Sequence, residues 1–337
     1  MSLEISEADV MVTGGSGFLG RHLVRRLLGD GRRVRLLVRS PARLPEDLAR
    51  RCVVMHGDLA DPEILRAAVA EVRTVFHCAA NVRTWDTPEN YRTANVDGVR
   101  HLLEAIAGAN PGLVRLVHVS SVDVYGFPVS PCSESSATSG GGFGYGESKL
   151  SGENLVRNFC TEMAIPFTIL RPGNVIGPGS PFVERIGEAL DSGVMLKIGG
   201  GRVNAGLVDV ENLVDAMLWA AEAEIALGEC YNVRDIGKVS WAEFIAVLRA
   251  GIKGRGLVVN LPFAMAMRLA AGTEHLWRLL APGREPFLHR LLVCIFGRTC
   301  GHSTEKIRLH GGWSGRVGFD ESMARSIRWF LEQKLPN

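Results

Sequence analysis

An apolar run that breaks into three evenly spaced glycines constrains this chain more than any other stretch. Val10-Met11-Val12-Thr13 leads into Gly14, Gly17 and Gly20, and Leu19, Leu23, Val24, Leu27 and Leu28 follow at helical spacing. The pattern predicts a strand, a tight turn and a helix. Glycine tolerates positive φ and, without a Cβ, lets backbone N–H groups approach a phosphate closely. The N-terminus of the following helix adds about half a positive charge at the same point. A glycine-rich surface loop is the bland alternative. At the first strand–helix junction, the reading is a cradle for a dinucleotide pyrophosphate.

The rest of the first half supports that reading. Val34–Val38, Cys52–Met55, Thr74–Ala79, Val114–Val119 and Phe167–Leu170 are near-continuous apolar runs. Helical patterns lie between them, one starting at Asp61-Pro62, one running through Val96, Val99, Leu102, Leu103 and Ile106, and one from about Tyr145 to Met163. Asp61 is a suitable N-cap and Pro62 suits the first helical position. Such alternation predicts an α/β, Rossmann-type, doubly wound parallel sheet. Gly177-Pro178-Gly179-Ser180-Pro181 then breaks the pattern. We therefore expect a cofactor-binding domain over 1–176 and a smaller, mostly helical substrate-binding region over 177–337. Some strands of that region, such as Glu229–Val233, return to the sheet.

Charge and cysteine usage exclude several classes. A net charge of +2 with scattered arginines does not favour nucleic acid. Seven cysteines without paired spacing read as reduced thiols in a cytoplasmic compartment. Cys294, Cys300 and His302 lack a second ligand pair at zinc spacing, so no metal site is expected. The acidic start, Met1 to Asp9, does not look like a signal peptide. Residues 257–297 are unusually apolar and are expected to be helical, with Leu261, Met265, Met267, Leu269, Leu276, Trp277, Leu279, Leu280, Phe287, Leu291, Leu292 and Ile295. Three roles stay open for them: core, a lid over a bulky apolar substrate, or a peripheral membrane contact. Arg255, Arg268, Arg278, Arg284 and Arg290 surround the same stretch. The longest apolar run within it, Leu257 to Ala271, is interrupted by Asn260, Pro262 and Arg268 and is too short to span a bilayer.

Several residues carry chemistry. Arg39 ends the second strand, where an acid would accept hydrogen bonds from an NAD ribose. Arginine, with Arg43 nearby, instead suits a 2′-phosphate and so NADP(H). Asp58 can accept from the adenine amino group while Leu59 covers the ring. Tyr145 and Lys149 lie four apart, on one helix face and about 6 Å apart along its axis. A phenol titrates near ~10, and lowering it by about three units takes roughly 4 kcal/mol. An exposed ion pair supplies about 1 kcal/mol at most, so a proton-accepting Tyr145 needs a partly desolvated site. Ser120-Ser121 follows the fifth strand, at the end of the sheet where ligands bind.

Taken together, these stretches make the chain resemble the extended short-chain dehydrogenase/reductases, with 3β-hydroxysteroid and sterol dehydrogenases nearest in pattern. The matching stretches are Thr13–Gly20, His56–Leu59, His77-Cys78-Ala79-Ala80, Asn95-Val96-Asp97-Gly98, Ser120-Ser121 with Val124-Tyr125-Gly126, Tyr145 with Lys149, and Leu170–Val175. Leu207–Asn212, Cys230–Val233 and Gly312-Trp313 extend the match. The resemblance implies that Tyr145 is the acid/base and that Lys149 holds the nicotinamide ribose and lowers the Tyr145 pKa. It implies that Ser121 polarises the substrate oxygen, with Ser120 as fallback, and that Asn95 supports the site. Gly14, Ser16, Gly17, Phe18, Leu19, Gly20, Cys78, Ala79, Ala80, Pro172 and Val175 would complete the cofactor site. It also implies a homodimer through the Asn95–Ile106 and Tyr145–Met163 helices, where Val156, Phe159 and Met163 suit a seam or a core.

Two departures matter. Ser139–Gly144 is glycine-rich where relatives carry proline, which suggests a mobile gate. Val122 and Asp123 stand where sugar dehydratases carry an Asp-Glu pair, which argues against dehydration. The expected activity is NADP(H)-dependent interconversion of a ketone and a secondary alcohol on a bulky apolar, steroid-, terpenoid- or polyketide-like substrate. The alternatives are a nucleotide-sugar epimerase and a non-catalytic NADP-binding sensor.

Overall fold

The computed structural model describes residues 8–235, 237–281, 284–311, 313 and 315–334, and the side chain of Arg43 lies outside what it describes. Gly312, from the C-terminal motif match, also lies outside the described residues. In the first half, strands β1 (Val10–Thr13), β2 (Val34–Val38), β3 (Val53–His56), β4 (Thr74–His77), β5 (Arg115–Val119) and β6 (Phe167–Pro172) alternate with helices. The helices are α1 (Phe18–Gly29), α2 (Glu46–Ala49), α3 (Pro62–Val69), α4 (Pro88–Arg92), α5 (Gly98–Ala109) and α6 (Gly144–Glu162). Beyond them lie β7 (Asn174–Ile176), α7 (Pro181–Asp191), β8 (Val194–Ile198), β9 (Leu207–Asp209), α8 (Val210–Glu222) and β10 (Cys230–Val233). The chain continues through α9 (Trp241–Ile252), β11 (Leu257–Leu261), α10 (Phe263–Leu280), α11 (Arg290–Gly297), α12 (Glu305–Gly311) and α13 (Phe319–Glu332).

Seven parallel strands pair in the order β10-β6-β5-β4-β1-β2-β3. β1, β2, β5 and β6 are buried along their whole length, as their unbroken apolar runs require of a sheet covered on both faces. One core face packs Val12, Leu23, Leu27, Leu36 and Phe76 against α1 and α8, and the other packs Met11, Leu65, Leu102, Ile106 and Val156 against α3, α5 and α6. Val156 is thus core rather than seam, whereas Met163 is half exposed. The strand order reverses between β1 and β4. A crevice opens there at the carboxyl ends, in the place where such sheets hold ligands.

The segment 257–261 departs from the helical expectation. Leu257–Leu261 forms β11, paired in parallel with β8 from Leu257↔Val194 to Leu261↔Ile198. Val258 and Val259 favour an extended chain, and Pro262 holds Leu261 out of the helical region, so α10 begins only at Phe263. The described residues between Leu280 and Arg290 are also non-helical, which leaves Phe287 on a connection. The other buried cluster around Trp241, Phe244, Ile186, Leu291 and Ile295 forms a second core beyond the sheet.

Candidate active site

The glycine turn sits at the β1/β4 crevice. Gly14 has φ +72°, and a Cβ on it would stand 2.7 Å from the Ala79 amide nitrogen. A Cβ on Gly20 would stand 2.1 Å from the Gly14 carbonyl oxygen, so neither position accepts a larger residue without movement. Gly17 is the N-cap of α1 and no side-chain cap bond fills it, leaving the first-turn N–H groups of Phe18 and Leu19 facing the crevice with Ser16 beside them. This cradle of bare backbone fits a pyrophosphate. His22 on α1 pairs with Glu211 at 2.6 Å and with the Pro178 carbonyl at 2.9 Å, so the turn is tied to the second half of the chain.

Arg39 lies just past β2 with its side chain 79% exposed, and its Nε stands 3.8 Å from an Asp58 carboxylate oxygen. Leu59 packs over Gly98 at the start of α5. Cys78, Ala79 and Ala80, partly buried, follow β4, and the Ala79 N–H donates to Thr13 Oγ1 at 3.2 Å. Burial pushes the Cys78 thiol up to about 12, so it is not a thiolate at neutral pH. Pro172 ends β6, and Val175, on β7, is partly buried against the first core.

Tyr145 and Lys149 stand one turn apart on α6 and face the ends of β4 and β5. Lys149 is buried and its Nζ donates to the Val119 carbonyl at 2.6 Å. Burial brings its ammonium down to about 8. The two adjacent serines separate cleanly. Ser120 Oγ donates to Glu153 Oε2 at 2.8 Å and is committed behind the site. Ser121 lies beside the Tyr145 side chain, and its Oγ accepts the Asp123 N–H at 3.1 Å.

Burial, then the nearby Asp123 carboxylate, pushes the Tyr145 hydroxyl upward, and the Ser121 hydroxyl beside it opposes this only in part. Lys149 is engaged with the Val119 carbonyl. The protein's own residues therefore keep Tyr145 protonated. That is the state of a proton donor. His77 and His118 stack beneath at 5.3 Å, and burial followed by the Lys149 charge lowers His77 to about 3, so both rings are neutral.

Asn95 lies in a π-helical turn, Thr93–Asp97, between α4 and α5. Its Nδ2 donates to Ser148 Oγ at 2.9 Å and to the Asn81 carbonyl at 3.0 Å, and its Oδ1 accepts the Asn81 N–H at 2.7 Å. Ser148 Oγ in turn donates to the Tyr145 carbonyl at 2.8 Å. Asn95 thus positions the backbone of Tyr145 and the loop after β4.

Sequence reasoning passed over two groups. Glu153, one turn beyond Lys149, is buried and ion-pairs with buried Arg171, which also donates to Tyr125 Oη at 2.8 Å. Burial alone would raise the Glu153 carboxyl; Arg171 and Ser120 hold it low. The spacing of Tyr145, Lys149 and Glu153, four and four, was a usable signal. Asp123 was weighed only as a missing dehydratase pair. Its carboxyl hydrogen-bonds Ser121, and burial raises it to about 7. The loop through Gly140, Gly141 and Gly142 is not an open flap: Gly141 packs on Gly126, and Ser139 N–H donates to the Val124 carbonyl at 2.9 Å.

Residues 10–233 match the NAD dependent epimerase/dehydratase family. The chain belongs to that family. Within it, this extended short-chain dehydrogenase/reductase is 33% identical to 4-hydroxy-2-methyl-3-oxo-4-farnesyl-3,4-dihydroquinoline-1-oxide ketoreductase of Stigmatella aurantiaca, over 93% of each chain. It is 27% identical to the decarboxylating sterol-4-alpha-carboxylate 3-dehydrogenase of Bos taurus, over 95% of this chain and 91% of the other. The structure of MoeE5 in complex with UDP-glucose and NAD superposes with a TM-score of 0.78 at 25% identity, over 96% of this chain and 99% of that one. The oxidoreductase character and a nicotinamide dinucleotide site follow for this family member.

Proposed function

We propose that this dehydrogenase/reductase uses NADP(H) to interconvert a ketone and a secondary alcohol on a bulky apolar substrate. The observation that carries this reading is the placement of Ser121 at the end of β5 beside buried Tyr145, with Lys149 one turn away and bonded to the Val119 carbonyl. Bound NADPH supplies a hydride to the carbonyl carbon. The Tyr145 phenol gives its proton to the oxygen of the same carbonyl, and the Ser121 hydroxyl donates a hydrogen bond to it. Lys149 keeps two N–H groups beyond its bond to Val119, enough to hold ribose hydroxyls. Exposed Arg39 would pair with a 2′-phosphate, and Asp58 and Leu59 would hold the adenine. Asp123, on the far side of Ser121, is a second carboxyl through which a proton can reach the pair.

Apolar substrate specificity is supported by the side chains around Tyr145, among them Phe127, Phe143, Leu291 and Ile295 in one cluster. It is supported too by the two relatives, whose names specify a farnesylated quinoline oxide and a sterol. The seven free cysteines fit a reducing, cytoplasmic compartment. A homodimer through the outer faces of α5 and α6 belongs to the same reading, and sedimentation equilibrium checks it.

The test is cofactor consumption with NADPH and NADH against steroid, terpenoid and β-ketoacyl ketones and UDP-sugars. The reading expects NADPH oxidation with an apolar ketone. The MoeE5 likeness favours a second reading, sugar-nucleotide epimerisation. Conversion of a UDP-sugar without net cofactor consumption, with NAD copurifying, would replace the first reading by the second.

A further inference from the structure

α10 is apolar on two faces, and among the described residues only one of them is covered. Its inner face, Phe263, Ala266 and Ala270, packs with Ile198, Leu288 and Val293. Its outer face carries Met265, Leu269, Leu276 and Leu280, spaced four, seven and four residues apart, with Leu279 beside them. At 100° per residue these fall on one stripe along the helix. All five are exposed, Leu279 at 69% and Leu280 at 72%, and Phe287 on the following connection is 62% exposed. A contiguous exposed apolar stripe is informative where scattered single residues are not.

The charge around the stripe is predominantly positive. Arg268, His275 and Arg278 are exposed along α10, and Arg284 follows its end. The helix has a single acid, Glu274, which is buried and accepts from the Arg290 backbone N–H at 2.7 Å and its Nε at 2.9 Å. Arg278 lies over Trp85 with its guanidinium 5.7 Å from the ring centroid. None of the described helices is long and apolar enough to cross a membrane.

We propose that the outer face of α10 docks this protein in the plane of an anionic lipid surface, with the leucine stripe in the acyl boundary and Arg268 and Arg284 at the headgroups. Charge decides the occupant. A second copy laid on the stripe brings like-charged arginines together, whereas anionic headgroups attract them. The docked face also adjoins the site's edge. Glu285, just after α10, accepts from Thr84 Oγ1 at 2.8 Å and Arg185 at 2.7 Å, and Thr84 belongs to the loop whose Asn81 is held by Asn95. This inference does not depend on the redox reading.

The test is cosedimentation of the full chain with vesicles of phosphatidylcholine mixed with phosphatidylglycerol, against phosphatidylcholine alone. Binding is expected to the anionic vesicles and to fall with added salt. The triple variant Leu276→Gln, Leu279→Gln, Leu280→Gln should bind about tenfold more weakly, and Arg268→Gln with Arg284→Gln should remove the salt dependence. An unchanged circular dichroism spectrum and melting temperature confirm that each variant folds. Wild-type protein left in the supernatant with both vesicles overturns the proposal, as does a triple variant that binds like wild type. A concentration-dependent dimer abolished by the triple variant, without vesicle binding, overturns it in favour of a second copy of this chain.

Discussion

α6 and α10 are of nearly equal length, 19 and 18 residues, and each inverts the usual sorting of side chains in the opposite sense. α6 buries a lysine and a glutamate one turn apart, while α10 holds five large apolar side chains in water. Buried charge and exposed apolar surface are the two informative exceptions to burial by hydropathy. In α6 each buried charge has a partner: Lys149 the Val119 carbonyl, Glu153 both Arg171 and Ser120. In α10 the outer stripe has no covering element among the described residues. A partner satisfied within the chain marks a built site. A face left without one marks a surface that works against something else.

The comparison can be broken first at α6. Tyr145→Phe removes the proton donor and should lower turnover by about a thousandfold, read as NADPH oxidation, while cofactor binding by fluorescence titration stays near wild type. Glu153→Ala tests the partner argument next. It leaves the Arg171 guanidinium, 4% exposed, without its carboxylate, and should cost about 3–5 kcal/mol in urea unfolding. At the cofactor end, Arg39→Asp should raise the KM for NADPH about tenfold, about 1.4 kcal/mol, and leave that for NADH little changed.

A smaller effect follows from Asp123. Its carboxyl titrates near about 7 in the folded chain and near ~3.9 when unfolded. Between those values the folded state binds the extra proton, so this group makes stability fall as pH rises from about 4 to about 7. Asp123→Asn should flatten that part of the pH profile of the urea midpoint; an unaltered profile would show that the carboxyl is not held protonated. On α10, Leu279→Gln with Leu280→Gln should change stability by no more than about 0.5 kcal/mol per site, because both side chains are largely exposed. A large loss there would erase the contrast with α6.

Much of the sheet was legible because its signals are local. Val10–Val12 before Gly14, or Asp61-Pro62 at the head of α3, declare themselves within a few residues. In α3 the Asp61 carboxylate accepts the Glu63 and Ile64 N–H groups at 3.2 Å, as an N-cap should. β11 reads as helix in the sequence because its pairing partner, β8, lies some sixty residues earlier, and a five-residue segment with four apolar side chains suits either element. The same limit applied to the site. Tyr145 and Lys149 share a helix face by spacing alone. The upward direction of the Tyr145 shift depends on burial and then on Asp123, and both come from other elements of the chain.

The sequence by itself determined a dinucleotide-binding α/β chain with a Ser, Tyr and Lys set, since glycine geometry, strand–helix alternation and i, i+4 spacing are properties of neighbouring residues. Of the two serines the sequence offered, Ser121 first and Ser120 as fallback, only the tertiary structure shows what each one touches. Ser120 is held by Glu153, on α6, whereas Ser121 reaches Tyr145. It also decided which part of the 257–297 stretch is strand, which is core and which is surface. Val293 and Leu279 are equally apolar in sequence, and burial depends on what the rest of the chain brings against each of them.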